Sequence, residues 1–258
     1  MMANRCCDTQ MPIDVVFPNT VWDKVIEQRL SVNQCSSTVG DMKPGDPPVS
    51  RRERLRDELT AQIVSIGRRQ LEEGGVAGVS WRGIAREVGM NPASLYTYVD
   101  GIDDLYTRIL IDSFEGLASA VHAASEASRD QPARQRFLAC AAAYREWAVA
   151  HPSQFNLIFT DQIPGYEAPP DGPTVDAEIA IEQPFVGALA ELLGRTPGDL
   201  LADTSSTAFA AVVALRSQLL GFTMLEINNH APYLENSPRI MLAATDHAID
   251  ALLAVAST

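Results

Sequence analysis

The chain has 258 residues, 46% of them apolar, with a net charge of −13 and four cysteines. That supplies apolar matter for a substantial core, yet no stretch approaches eighteen uninterrupted apolar residues, so no membrane span is expected. Cys6, Cys7, Cys35 and Cys140 show neither metal-ligand spacing nor a disulfide framework, and no basic region followed by an apolar run opens the chain, so the expectation is a reduced, cytoplasmic protein without metal or cofactor.

Residues 1–50 read as an N-terminal extension, partly disordered. A short amphipathic pattern at 15–30 (Val21, Trp22, Val25, Ile26, Leu30) precedes a stretch rich in Ser, Gly, Pro and Asp that includes Pro44-Gly45-Asp46-Pro47-Pro48. The segment is either a tail or an added packing element. A helix is predicted over 51–73, with Leu55, Leu59, Ile63 and Ile66 as its inward stripe and Gly74-Gly75 as its stop.

Residues 80–98 hold two short helical patterns with a tight break between them. Trp81, Ile84, Ala85 and Val88 give the first an apolar face; Ser80 is placed to cap it and Gly89 to end it in a left-handed turn. Asn91 caps the second, and Pro92 falls at its first helical position, where a missing N–H costs nothing. Leu95 points inward, while Ala93, Ser94, Tyr96, Thr97 and Tyr98 face mostly outward. Two short helices joined by a glycine-containing turn form a helix-turn-helix.

Residues 83–99, Gly-Ile-Ala-Arg-Glu-Val-Gly-Met-Asn-Pro-Ala-Ser-Leu-Tyr-Thr-Tyr-Val, with the preceding helix and the downstream Asp104-Leu105-Tyr106, resemble the DNA-binding domain of the TetR family of transcriptional repressors over roughly 51–111. The resemblance implies a three-helix helix-turn-helix domain at 51–111 and a larger helical effector-binding and dimerisation domain at 112–258, an all-α protein. It also implies double-stranded operator DNA, a small-molecule effector and a second copy of the chain as partners.

Beyond that domain the periodicity predicts helices at 102–124, 133–150, 153–159, 174–193, 200–228 and 239–256. Pro184 is expected to kink or break the fourth of these. Irregular stretches are expected at 160–173 and 232–238, and no period-two run of useful length appears. The segment Tyr144-Arg145-Glu146-Trp147-Ala148 through His151-Pro152 to Phe159, with Pro164-Gly165-Tyr166 and Gly221–Glu226, is similar to a TetR subgroup that carries Trp and His before the last glycine; here those positions hold Arg216 and Leu220.

The resemblance places DNA contacts at Ser80, Arg82, Asn91, Pro92, Ala93, Ser94, Tyr96, Thr97 and Tyr98. A phenol can bond a phosphate while its ring lies on sugar or a thymine methyl, although either tyrosine also fits as packing between helices. None of the groove-facing residues is an arginine that could fork onto guanine, so apolar contact and DNA shape are expected to contribute to readout. Many family members place a lysine after the second tyrosine, whereas this chain has Asp100-Gly101-Ile102-Asp103-Asp104. Phe137, Tyr144, Trp147, Phe155, Phe159, Tyr166, Phe185 and Met224 are the candidate cavity residues. Each fits plain core as well, and a pocket of this composition favours an apolar effector, with Tyr144 as its polar contact. The last two helices are expected to make the dimer, with Ala243, Ala244, Ala248, Ala251 and Ala254 permitting close approach or facing their own core.

The acid is unevenly spread. Residues 51–106 carry 8 basic and 9 acidic side chains, whereas 107–258 carry 8 and 18, a net −10. The body is therefore expected to repel DNA, while Arg51, Arg52, Arg54, Arg56, Arg82 and Arg86 act locally. Enzyme motifs are absent from the sequence: it has no Gly-x-Ser-x-Gly, no His-Glu-x-x-His and no phosphate-cradling loop. The alternative reading is a helical ligand-binding or protein-interaction module with weakened DNA binding.

Overall fold

Ser50 starts the first helix. Its Oγ accepts from the Glu53 amide at 3.2 Å, and the Glu53 carboxylate accepts from the Ser50 amide at 2.8 Å. This reciprocal pair satisfies two otherwise orphaned donors. The structure, a computed structural model, describes residues 50–160, 163–167, 172–232 and 236–256. The extension at 1–49, with the helix expected at 15–30, lies outside them.

Among the described residues every regular element is helical. In chain order they are α1 (Arg51–Gly74), a 3-10 turn (Val76–Gly78), α2 (Trp81–Val88), a 3-10 helix (Pro92–Thr97), α3 (Ile102–Ala127) and α4 (Ala133–Ala150). There follow α5 (Pro152–Phe159), α6 (Pro173–Leu192), α7 (Pro197–Ala202), α8 (Thr207–Ile227) and α9 (Ser237–Ala256). The elements up to Thr97 form a head. α3 runs out of it into a body where it packs chiefly on α6 and α4, while α8 and α9 pair with each other and lean on α4.

Four expectations change. Leu55 is 49% exposed, because no described residue covers its side of α1, and only Ile63, Ile66, Gly67 and Leu71 of that helix are buried. The second helix of the helix-turn-helix is a six-residue 3-10 helix rather than an α-helix. The single helix expected at 200–228 is two, α7 and α8. Asp203 turns the chain by accepting from the Ser205 amide at 3.0 Å, and Ser206 then caps α8 by accepting from the Phe209 amide at 3.1 Å.

Pro184, finally, does not break α6. A proline at this position removes the hydrogen bond that would reach the carbonyl of Ala180. His122 of α3 bonds that carbonyl instead, through Nε2 at 2.8 Å. The bond from a packed neighbour satisfies the acceptor, and the helix continues from Pro173 to Leu192.

Candidate nucleic-acid interface and body cavity

The helix-turn-helix is held by local caps and one indole. Ser80 Oγ accepts from the Gly83 amide at 3.2 Å, Gly89 takes the left-handed conformation with φ 75°, and Asn91 Oδ1 accepts from the Ala93 amide at 2.9 Å. Trp81 Nε1 donates to the Pro92 carbonyl at 3.2 Å, tying the two short helices together, and its ring sits 5.1 Å from that of Tyr96. Leu95 is fully buried beneath them. With that side chain anchored, the other side of the 3-10 helix faces outward. Asn91, Ala93, Tyr96 and Thr97 are exposed, Tyr96 at 59%, while Pro92, Ser94 and Tyr98 are half-buried, and Tyr98 packs against the core. Ser80 and Arg82 are exposed beside them at the start of α2.

The arginines divide into two sets. Arg56 Nη2 donates to the Thr97 carbonyl at 3.1 Å and so braces the end of the 3-10 helix, and Arg69 pairs with Glu87. Arg51, Arg52, Arg54, Arg82 and Arg86 are exposed and make no ion pair with any described residue. Of the acids after Tyr98, Asp104 has local work: its carboxylate accepts from the Asp100 amide at 2.9 Å and meets Arg108 Nε at 3.1 Å.

In the body, α4, α6 and α8 enclose a cavity of about 20 Å³, room for about one water. Phe137, Tyr144 and Phe185 line it, with Leu189, Val212, Leu215 and Leu219 completing its apolar wall and Glu182 and Arg216 its polar corner. Phe137 and Phe185 meet edge to face at 5.1 Å. Arg216 Nε lies 2.7 Å from Glu182 and Nη2 lies 3.0 Å from Glu178. Burial, with Glu178 nearby, pushes the Glu182 carboxyl above the ordinary range against the pull of Arg216, and burial likewise raises the Tyr144 phenol.

Of the eight candidate cavity residues, only Phe137, Tyr144 and Phe185 meet there. Phe155 and Phe159 pack on the Tyr144 ring at 5.4 and 6.2 Å. Trp147 stacks on His151 at 4.8 Å and covers Gly116, too far round α4 to reach the cavity lining. The Tyr166 hydroxyl bonds Thr107 at 2.8 Å and fastens its loop to α3. Met224 is half-buried on α8, outside the cavity wall.

The corner formed by Glu178, Glu182 and Arg216 was not anticipated as a site. The available signal was two glutamates four apart within the apolar middle of one helix, and a single arginine in another mostly apolar helix.

Side-chain contacts join the body to the head. Phe155, packed on Tyr144, belongs to α5, and its neighbour Gln154 donates to Glu72 of α1 at 2.7 Å. Arg68 of α1 pairs with Asp112 of α3.

The outer faces of α8 and α9 are apolar, and no described residue covers them. Ala210, Ala214, Ser217, Gly221 and Leu225 form an exposed stripe on α8; Ile240, Ala243, Ala244 and Ala251 form one on α9, with Ala248 half-buried. α8 is the one helix among the described residues long and apolar enough by composition to cross a membrane, and 28% of its apolar window is buried. The expectation drawn from uninterrupted runs did not register it, because Arg216 and Gln218 interrupt its apolar residues.

A helix-turn-helix head on a body whose described elements are all helical, with a small cavity among them, defines a two-part helix-turn-helix protein. The comparisons agree. Residues 137–252 match the model of the family described as tetracyclin repressor-like, C-terminal domain. The chain is 37% identical over 152 residues, 59% of its length, to the HTH-type transcriptional regulator Rv1816 of Mycobacterium tuberculosis (strain ATCC 25618 / H37Rv), and the match spans 64% of that protein. Its fold is similar to the crystal structure of SCO4313, with a TM-score of 0.64 and 26% identity over 78% of this chain and 98% of that one. It is also similar to a protein of unknown function from Rhodococcus sp. RHA1, with a TM-score of 0.59 and 22% identity over 75% and 94% of the two chains. Residues 137–252 are thus similar to a tetracyclin repressor-like C-terminal domain, and the chain spans less than two thirds of the length of the curated relative it matches.

Proposed function

We propose that the chain is a ligand-responsive, DNA-binding transcriptional regulator acting as a repressor. In this reading a homodimer binds a palindromic operator and leaves it when an effector with an apolar body enters the α4–α6–α8 cavity. The observation that carries the DNA reading is the outward side of the Pro92–Thr97 helix: Tyr96 stands 59% exposed over a fully buried Leu95, in a head whose Arg51, Arg52, Arg54, Arg82 and Arg86 make no ion pair with a described residue. Ser80, Arg82, Asn91, Pro92, Ala93, Ser94, Tyr96, Thr97 and Tyr98 make the contacts, with Arg51, Arg52 and Arg54 at the start of α1 supplying phosphate contacts.

The stripes on α8 and α9, which no described residue covers, support a two-fold mate. Small residues let helices approach closely, and two-fold symmetry brings two heads onto major grooves about 34–36 Å apart. Ala251→Glu, which places a charge in each half of that face, is expected to shift the dimer to monomer in sedimentation; an unchanged mass would remove this face from the interface.

A cavity of about 20 Å³ cannot hold an effector without opening. Opening moves Tyr144 and, through Phe155 and Gln154, α5 against α1. In this reading the head is displaced by that shift.

Gel retardation on the DNA upstream of the protein's own gene tests the reading. Retardation at low salt that weakens at moderate salt is expected, reduced about tenfold or more by Tyr96→Ala. No retardation at either salt would leave the body as a binding module alone.

A further inference from the structure

The cavity wall is apolar except at one corner. There α6 presents Glu182 and α8 presents Arg216, while Glu178, one turn before Glu182 and outside the cavity lining, holds the other side of the guanidinium; Glu178, Glu182 and Arg216 are 22%, 12% and 25% exposed. Two carboxylates face one guanidinium, so the fully ionised corner carries a net charge of −1. A second, independent feature points into the same space. Tyr144 is 5% exposed and lines the cavity, and its hydroxyl has no hydrogen-bond partner among the described residues. Buried hydroxyls are normally bonded, so an unpartnered one beside open volume marks a place for a ligand atom. The rings of Phe137, Tyr144 and Phe185 surround it.

We propose that the effector is an organic cation: one positive charge, with an N–H donor, on an apolar body of about one ring. The charge lies against Glu182, the Tyr144 oxygen accepts from the N–H, and the aromatic rings hold the body. This deepens the effector reading above and rests on it. Other ligand classes fit worse. An anion would have to take Arg216 from a glutamate and leave a third negative charge in a nearly closed space. A wholly apolar ligand would leave the Tyr144 hydroxyl dry and the corner's excess charge uncompensated. A cation removes both deficits, and aromatic faces attract it.

The test uses the full chain and three probes of similar size: 2-phenylethylammonium, 2-phenylethanol and phenylacetate, titrated calorimetrically at pH 7.5. The ammonium is expected to bind about tenfold or more tighter than the alcohol, with phenylacetate weakest. Glu182→Gln is expected to weaken the ammonium about tenfold and the alcohol by less than about threefold. Tyr144→Phe is expected to weaken the ammonium about threefold. If Glu182→Gln fails to fold, as judged by its thermal melt, Glu178→Gln must weaken the ammonium in the same selective way. Equal affinity for ammonium and alcohol, stronger binding of phenylacetate, or indifference of the ammonium to both substitutions would overturn the proposal while leaving the cavity reading intact. No heat from any probe at about 10 mM would overturn both, and the gel-retardation result stands apart from either.

Discussion

Arginine serves opposite ends in the two halves of the molecule. At the start of α1, Arg51, Arg52 and Arg54 stand in solvent with no ion pair to a described residue. In the body, Arg216 is held between two carboxylates, at 2.7 and 3.0 Å, on the wall of a cavity. Surface cations keep their hydration, cost the fold little, and remain available to phosphate in a salt-dependent way. An enclosed cluster has already lost much of its water, so its charges must be balanced internally or by whatever enters. The contrast teaches that net charge, −13 here, says little about which partner each half can meet.

The most disruptive way to test that contrast is Arg216→Ala. It leaves Glu178 and Glu182 facing each other without a cation, and about 2–3 kcal/mol of stability should be lost in denaturant unfolding. Adding Glu182→Gln to that variant should recover part of the loss. A cost below about 0.5 kcal/mol would mean that the corner behaves like a surface, and the contrast would collapse.

A smaller effect concerns pH. The Glu182 carboxyl is raised by burial from an ordinary value of 4.5. Below that value both folded and unfolded chains hold the proton and the group contributes nothing. As pH rises, the unfolded chain ionises first, so stability is lost until the folded carboxyl ionises as well, after which the penalty is constant. Glu182→Gln should therefore melt higher than the parent at pH 8, by about 2–4 °C for each kcal/mol of penalty, and the two curves should converge as pH falls towards 4.5. A gap that widens on acidification would contradict the assigned direction.

The smallest stability effect belongs to the surface arginines. Arg52→Ala and Arg54→Ala should each change unfolding stability by less than about 0.5 kcal/mol, yet lower the slope of log affinity against log salt by about one on operator DNA. If stability fell and the salt slope did not, these cations would be structural, and the two halves would use arginine alike.

Much of the head could be read from sequence because its determinants are local. Ser80, Gly89, Asn91 and Pro92 act within four residues of themselves, and each occupies the position its chemistry suits. Leu55 was misread for the same reason: helical spacing placed it on the inward stripe, but whether anything covers that stripe depends on distant elements. The candidate cavity residues divided in a similar way. Aromatic spacing marked all eight as large and apolar, but only assembly of α4, α6 and α8 decided that Phe137, Tyr144 and Phe185 share a wall while Trp147 stacks on His151. Pro184 was expected to kink or break its helix; it does not break it, and the bond that satisfies the Ala180 carbonyl comes from His122, 58 residues away in sequence and so beyond any local reading.

What the sequence alone determined is the all-helical character, the helix-turn-helix and most helix boundaries, because periodicity, caps and turns act over one or two helical turns. What only the tertiary structure decided is which charges are enclosed and which stand free, because burial is a property of what lies opposite. Glu178 and Glu182 are ordinary helix residues until α8 brings Arg216 between them, and only then does the packing of three helices turn surface chemistry into a charged corner within an apolar wall.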